Sequence, residues 1–256
     1  MINRMTLLKV FIIVPIIILY HTLLFGSPSN SIDIPINDLL AESIFGRLQV
    51  GNSRSYTLII EKMFYILVFN MLFGTYIYKN FLVSSVYLFS RLKNRKTWLY
   101  RKVFELFLLA GCYTLLFLGT LLFLCIYQSS YGVEGTTINM LVLLWGVITL
   151  FLTFVTLIIN LLAIRLGSNV AFIIVYIFLI LLVTLALFMR SIPSVIENPY
   201  LLLLNPVAAI ILNMIDQGNM QFIGIIYFCM LNVIVIVFGA QYINRMDIAL
   251  TDNESV

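Results

Sequence analysis

Charge is scarce in this chain: only 10% of its 256 residues are Asp, Glu, Lys or Arg, where soluble domains carry roughly 25%. With 62% hydrophobic residues and a mean hydropathy of +1.08, there is more apolar surface than a water-soluble core of this length can enclose. Most side chains must therefore meet lipid or one another within a bilayer. Histidine is limited to His21 and cysteine to Cys112, Cys125 and Cys229. The cysteines lie in apolar runs, where a thiol behaves as a small hydrophobe, and their spacing excludes a disulfide framework and a Cys-x-x-Cys metal site. One histidine cannot complete a zinc site. No Gly-Lys pair occurs, so there is no phosphate-binding Gly-x-x-x-x-Gly-Lys-Ser/Thr loop, and Gly-x-Ser-x-Gly and His-Glu-x-x-His are missing too. The expectation is a protein that is not catalytic alone, with no metal or cofactor of its own; ATP-driven work would need a second chain to bind the nucleotide.

What is present is a series of apolar runs. A transmembrane helix needs roughly 20 apolar residues, and six runs qualify, over 7–25, 57–77, 103–127, 138–164, 170–189 and 222–243. The expected fold is an all-α integral membrane protein, a single transmembrane domain over 1–256. The first run follows Arg4 and includes Lys9, but it is long and no small-x-small cleavage site follows, so it reads as a retained span rather than a signal peptide. A further apolar run, Leu201 to Ile215, is short, follows Pro199 and contains Asn205-Pro206. Length and proline favour a re-entrant segment within an outer element, 191–221, over a seventh span.

The formal charge of +4 and a pI near 8.9 are compatible with nucleic-acid binding in isolation, but the basic residues sit beside spans. With both termini inside, eleven Lys and Arg are cytoplasmic, and Arg47, Arg54, Lys62 and Arg190 are the four outside. The positive-inside rule thus places both ends in the cytoplasm, consistent with six spans.

Six of the fifteen basic residues fall in the 80–102 connection, NFLVSSVYLFSRLKNRKTWLYRK. Val83, Val86, Tyr87 and Leu92 recur at near-helical spacing, followed by Arg91, Lys93, Arg95 and Lys96, the pattern of a short amphipathic helix with a basic flank. One reading is an anchor on anionic lipid, with Trp98 and Tyr100 at headgroup level. The other is a docking element whose apolar face fits a partner's groove and whose basic residues select an acidic rim. Glu61 and Lys62 lie one turn inside a span, where ionisable groups signal function unless they snorkel. Glu105, near Arg101 and Lys102, reads as a locally paired structural carboxylate. Thr149, Thr153, Thr156 and Asn160 share one face of the fourth span. That face either hydrogen-bonds across a helix interface or lines a substrate route. Asn70 and Asn232 are isolated polar residues of the same kind.

The arrangement resembles the membrane subunits of bacterial type-2 ABC exporters, most closely the small permeases of bacteriocin or lantibiotic immunity and amphipathic-peptide export. The residues NFLVSSVYLFSRLKNRKTWLYRKVFELF occupy the position of that family's coupling helix, and NPYLLLLNPVAAIILNMIDQG that of its re-entrant hairpin. The resemblance implies a second permease subunit, identical or paralogous, in the plasma membrane, and two separate ATPase chains that carry ATP and Mg on the coupling helices. The rival class is a stand-alone immunity protein that works without ATP.

The charge asymmetry makes a direct prediction. In a cysteine-free background, cysteines at Ser53 and Glu134 should react with an impermeant maleimide in intact cells, and those at Asn94 and Ser255 should not. Outside labelling at Asn94 would overturn the orientation.

Overall fold

A computed structural model describes residues 16, 36, 64–87, 95–128, 135–190, 205–207, 210 and 219–245. Among the described residues the architecture is all-helical: α1 (Phe64–Phe73), α2 (Tyr76–Tyr87), α3 (Arg95–Gln128), α4 (Gly135–Leu166), α5 (Ser168–Arg190) and α6 (Asn219–Arg245). Five stretches are long and apolar enough to cross a membrane, α1 and α2 together forming the first of them over Phe64–Val83. The chain is thus a multi-pass helical protein by length and composition. The expected span 7–25 lies outside the described residues.

The remaining expected spans are all found as helices, with shifted ends. The second, read over 57–77, is described as helix from Phe64 and continues through α2 to Tyr87. The third starts at Arg95 rather than Val103, because backbone hydrogen bonding carries the helix two turns beyond its apolar stretch. Consequently residues 80–87 and 95–102 of the expected loop belong to α2 and α3, and 88–94 lie outside the described residues.

Helix α4 is the hub. It packs against all five other helices, and 61% of its span is buried, against 28% for α5 and 22% for α6. Its partners fix directions. Phe151 meets Phe228 at a ring-centroid distance of 5.6 Å, and a Cβ on Gly239 would meet Leu161, so α4 and α6 run parallel. Helices α1 and α2 run along α4, with Asn70 at Thr156 and Tyr78 at Asn160, and α3 runs against them, with Phe117 at Tyr65, Tyr113 at Phe69 and Trp98 at Phe81. Trp145 Nε1 donates to Gly111 O at 2.9 Å, and Tyr113 OH donates to Tyr65 O of α1 at 2.8 Å. One residue, Gly167, turns α4 into α5. Its φ of 81° lies in the left-handed region that glycine enters without a Cβ penalty, and its N–H donates to Ala163 O at 3.0 Å.

The first described span is interrupted. Gly74 and Thr75 form a turn between α1 and α2, with Gly74 N donating to Asn70 O at 2.6 Å and Lys79 N to Thr75 O at 2.9 Å. The ring of Phe172 from α5 lies against this turn, 2.5 Å from where a Gly74 Cβ would stand, and the Asn70 carbonyl oxygen would be closer still. Glycine is required there by close approach. The outer faces of α5 and α6, including Ile177, Phe178, Val233 and Phe238, are exposed and apolar, as lipid-facing surfaces are.

Gly74→Ala should therefore destabilise the bundle by about 1–3 kcal/mol through overpacking. Gly119→Ala, where a Cβ meets nothing within 4 Å, should be neutral or stabilising by up to about 1 kcal/mol. Thermal unfolding of both variants in detergent checks the contrast; equal transitions would contradict it.

Candidate functional site

The antiparallel order places Lys79, Arg95, Lys96, Arg101, Lys102, Arg165 and Arg245 at one end of the bundle, where α2, α4 and α6 finish and α3 and α5 begin. Glu105, the one acidic residue among those described, sits at the same end and is held tightly. Its Oε2 accepts from Lys102 Nζ at 2.6 Å and from Tyr76 OH at 2.7 Å, while Arg101 Nε lies 3.4 Å from Oε1. Lys102 also stands 5.6 Å from the Tyr76 ring centroid. Glu105 thus pairs locally with Arg101 and Lys102, as its position in the sequence suggested, and also ties α3 to the first turn of α2. Phe81 and Trp98 add an edge-on contact at 6.2 Å, so α2 and α3 leave this end as a braced pair.

Of the residues expected to form a coupling element, the described ones fall around that end. Val83 is 74% exposed, Val86 and Tyr87 are in the last turn of α2, and Arg95 and Lys96 open α3 with Lys96 exposed. Arg91, Leu92 and Lys93 lie outside the described residues, as do Glu61 and Lys62. Lys79, Arg101, Arg165 and Arg245 are exposed, so the end presents a basic surface beside an exposed apolar one.

The polar face of α4 points inward. Thr149, Thr153, Thr156 and Asn160 are each no more than 2% exposed. Thr149 Oγ1 meets Thr114 Oγ1 of α3 at 3.2 Å, and Thr153 Oγ1 donates to Thr149 O at 2.8 Å. The Asn160 side chain reaches the interrupted span: Nδ2 donates to Thr156 O at 2.7 Å, and Oδ1 accepts from Tyr78 N at 2.9 Å. Tyr78 is in the first turn of α2, whose N–H groups have no carbonyl one turn earlier. Asn160 therefore caps a helix from a neighbouring one.

Thr156 completes the cluster. Its hydroxyl lies 2.7 Å from Asn70 Oδ1 and 2.6 Å from Leu152 O, but it has one proton to give. Amide orientation is assigned from the surrounding network. With the Asn70 amide turned, Nδ2 donates to Thr156 Oγ1, and the Thr156 proton goes to Leu152 O. Asn70 Nδ2, otherwise unpartnered, is satisfied in this assignment. The face thus joins α1, α2 and α3 to α4.

Several partners carried no sequence signal: Thr114, Tyr76, Tyr113 and Trp145 are single residues whose role depends on which helix lies opposite. Asn205 was visible only as a break. Its Nδ2 donates to Leu182 O of α5 at 2.7 Å, and its Oδ1 accepts from Val207 N at 3.0 Å, the bond of a helix N-cap followed by proline. Among the described residues no three His, Cys, Asp or Glu side chains come together; what the described residues present is a hydrogen-bonded interior face and a basic surface. The chain matches no protein-family model, no curated protein and no solved structure.

Asn160→Leu should destabilise the bundle by about 1–3 kcal/mol, because it leaves the Tyr78 N–H without its acceptor. Asn160→Asp, which retains an acceptor, should recover part of that loss. Thermal unfolding in nanodiscs checks this; a leucine variant as stable as the parent would remove Asn160 as a cap.

Proposed function

We propose that this chain is the membrane subunit of an ATP-driven ABC exporter in a bacterial plasma membrane, with six spans and both termini in the cytoplasm. The observation that carries the proposal is the basic end of the bundle at the α2–α3 connection. By the positive-inside rule that end faces the cytoplasm, where a nucleotide-binding partner works. There the exposed Val83 and the neighbouring Val86, Tyr87 and Leu92 supply an apolar docking surface, and Arg91, Lys93, Arg95 and Lys96 select an acidic rim. ATP and Mg belong to the separate ATPase, since the chain contains no phosphate-binding loop.

At the opposite end Asn205 bonds to Leu182, eight residues before the end of α5 at Arg190. Eight helical residues rise about 12 Å, so the chain at Asn205-Pro206 dips two turns below that end. This supports a re-entrant segment over 191–221, capped by Asn205. The cargo is an amphipathic or antimicrobial peptide, or another hydrophobic compound, and a second permease subunit completes the route. The Thr149, Thr153, Thr156 and Asn160 face is closed within the subunit; it joins a route when α1 and α2 hinge at Gly74-Thr75.

Coupling through shape and anchoring through charge make opposite predictions. Replacing Val86 and Tyr87 by Asp, with every basic residue kept, should abolish ATPase co-purification and cargo-linked ATP hydrolysis. Replacing Arg91 and Lys93 by Gln should leave membrane insertion unchanged, since each basic residue near anionic lipid is worth about 1 kcal/mol. A stably inserted Val86/Tyr87 variant that still binds and stimulates an ATPase would return the segment to a lipid anchor. Failure of the parent chain to capture any ATPase would favour the stand-alone immunity protein.

A further inference from the structure

Tyr100, Phe104 and Phe107 of α3 are spaced four and three residues apart, which puts them on one helical face. With Cys229 and Val233 of α6 they line a groove of about 340 Å³ between α3, α4 and α6. Asn232, beside Val233, donates from Nδ2 to Leu150 O of α4 at 2.9 Å and to Phe228 O at 2.8 Å, so the α6 wall is tied to the hub. The groove opens outward: Tyr100, Phe104 and Val233 are 48%, 60% and 58% exposed.

The α3 wall begins among positive charges. Arg101 follows Tyr100 and keeps 71% of its side chain exposed even while it pairs with Glu105. Lys96 stands one turn before Tyr100 on the same face and is exposed. Among the described residues Glu105 is the sole carboxylate, and it already accepts from Lys102 and Tyr76. Positive charge is therefore in excess at the rim. From Tyr100 to Phe107 the helix rises about 10 Å, which fits within the roughly 15 Å of hydrocarbon in one leaflet.

We infer that this groove seats an anionic phospholipid of the inner leaflet, its phosphate on Lys96 and Arg101 and one acyl chain running inward past Phe104. Charge selects the anion, since the rim offers two exposed cations. Position selects a lipid, because a basic rim with an exposed tyrosine belongs at headgroup level and the wall beyond it is apolar. Volume selects a chain over a helix: the groove lies at the lower end of the roughly 300–1,000 Å³ of ligand pockets, whereas a helix is about 10–12 Å across. A second copy related by a two-fold axis along the membrane normal would set an identical basic rim at the same level, which like charge disfavours. The inference rests on the membrane setting and the inward-facing basic end, not on the ATPase, and its test contains no ATPase.

The full chain is placed in phosphatidylcholine nanodiscs with a photoreactive phosphatidylglycerol that carries a diazirine in one acyl chain. Labelling at Phe104 should saturate as the probe's mole fraction rises. Unlabelled phosphatidylglycerol should displace it at about tenfold lower mole fraction than phosphatidylethanolamine. Replacing Lys96 and Arg101 together by Gln should make the two competitors equal. Replacing Arg165 and Arg245 by Gln removes the same charge from the same end but outside the groove, and should leave the preference intact. Val233→Trp, which fills the groove and keeps every cation, should remove saturable labelling while the chain elutes as the parent does. Unsaturable labelling, or equal potency of the two competitors in the parent, overturns the inference. So does an equal loss of preference in the Arg165/Arg245 variant, which would reduce the effect to summed charge. Cross-linking of Cys229 to its counterpart in place of lipid labelling also overturns it, because a second copy then covers the groove.

Discussion

Hydrocarbon offers no water to an exposed N–H or C=O, so each departure from regular helix inside a bilayer must bring its own partner. That constraint organises this protein. The span that runs from α1 into α2 is interrupted at Gly74-Thr75, and the freed N–H of Tyr78 is met by Asn160 from α4. The chain near Asn205 starts a new helical turn, and the same side chain both caps it and grips Leu182. Tyr113 and Trp145 donate to backbone carbonyls of neighbouring helices. In each case a polar atom ties two helices together where apolar packing alone would leave their register loose, since lipid tails are as apolar as the side chains they compete with.

Helix α4 concentrates these ties. Thr149, Thr156 and Asn160 look to α3, α1 and α2 respectively, while Phe151 and Leu161 serve α6. Around this hub the remaining surface divides in two. The flanks of α5 and α6 are apolar and exposed, while the end that gathers the basic residues is braced by Glu105 and Tyr76. Rigidity at that end matters for the proposed coupling, in which a docked ATPase would move α2 and α3 together and the glycine turn would absorb the movement.

Much of this was legible in the sequence because hydropathy reports lipid contact directly. The helices over 138–164, 170–189 and 222–243 were read within a few residues, and the four-three-four spacing of Thr149, Thr153, Thr156 and Asn160 identified a face that avoids lipid. Hydropathy says nothing about where a helix stops once it leaves the membrane. It therefore ended the third span at Val103, although the basic turns from Arg95 continue the same hydrogen-bond ladder. It also read 57–77 as continuous, since an uncharged Gly74-Thr75 pair does not end an apolar run. Only the approach of Phe172 and the capping by Asn160, contacts from distant helices, show that the helix breaks there.

The central claim is that the α4 polar face holds the bundle through specific interhelical hydrogen bonds rather than as incidental polarity. A double-mutant cycle between Asn70→Leu and Thr156→Val, read as unfolding free energy in a lipid environment, tests it most directly. The account predicts a coupling energy of about 0.6–1.7 kcal/mol, the range found for such bonds in membranes. Additive single-variant effects, with no coupling, would contradict it.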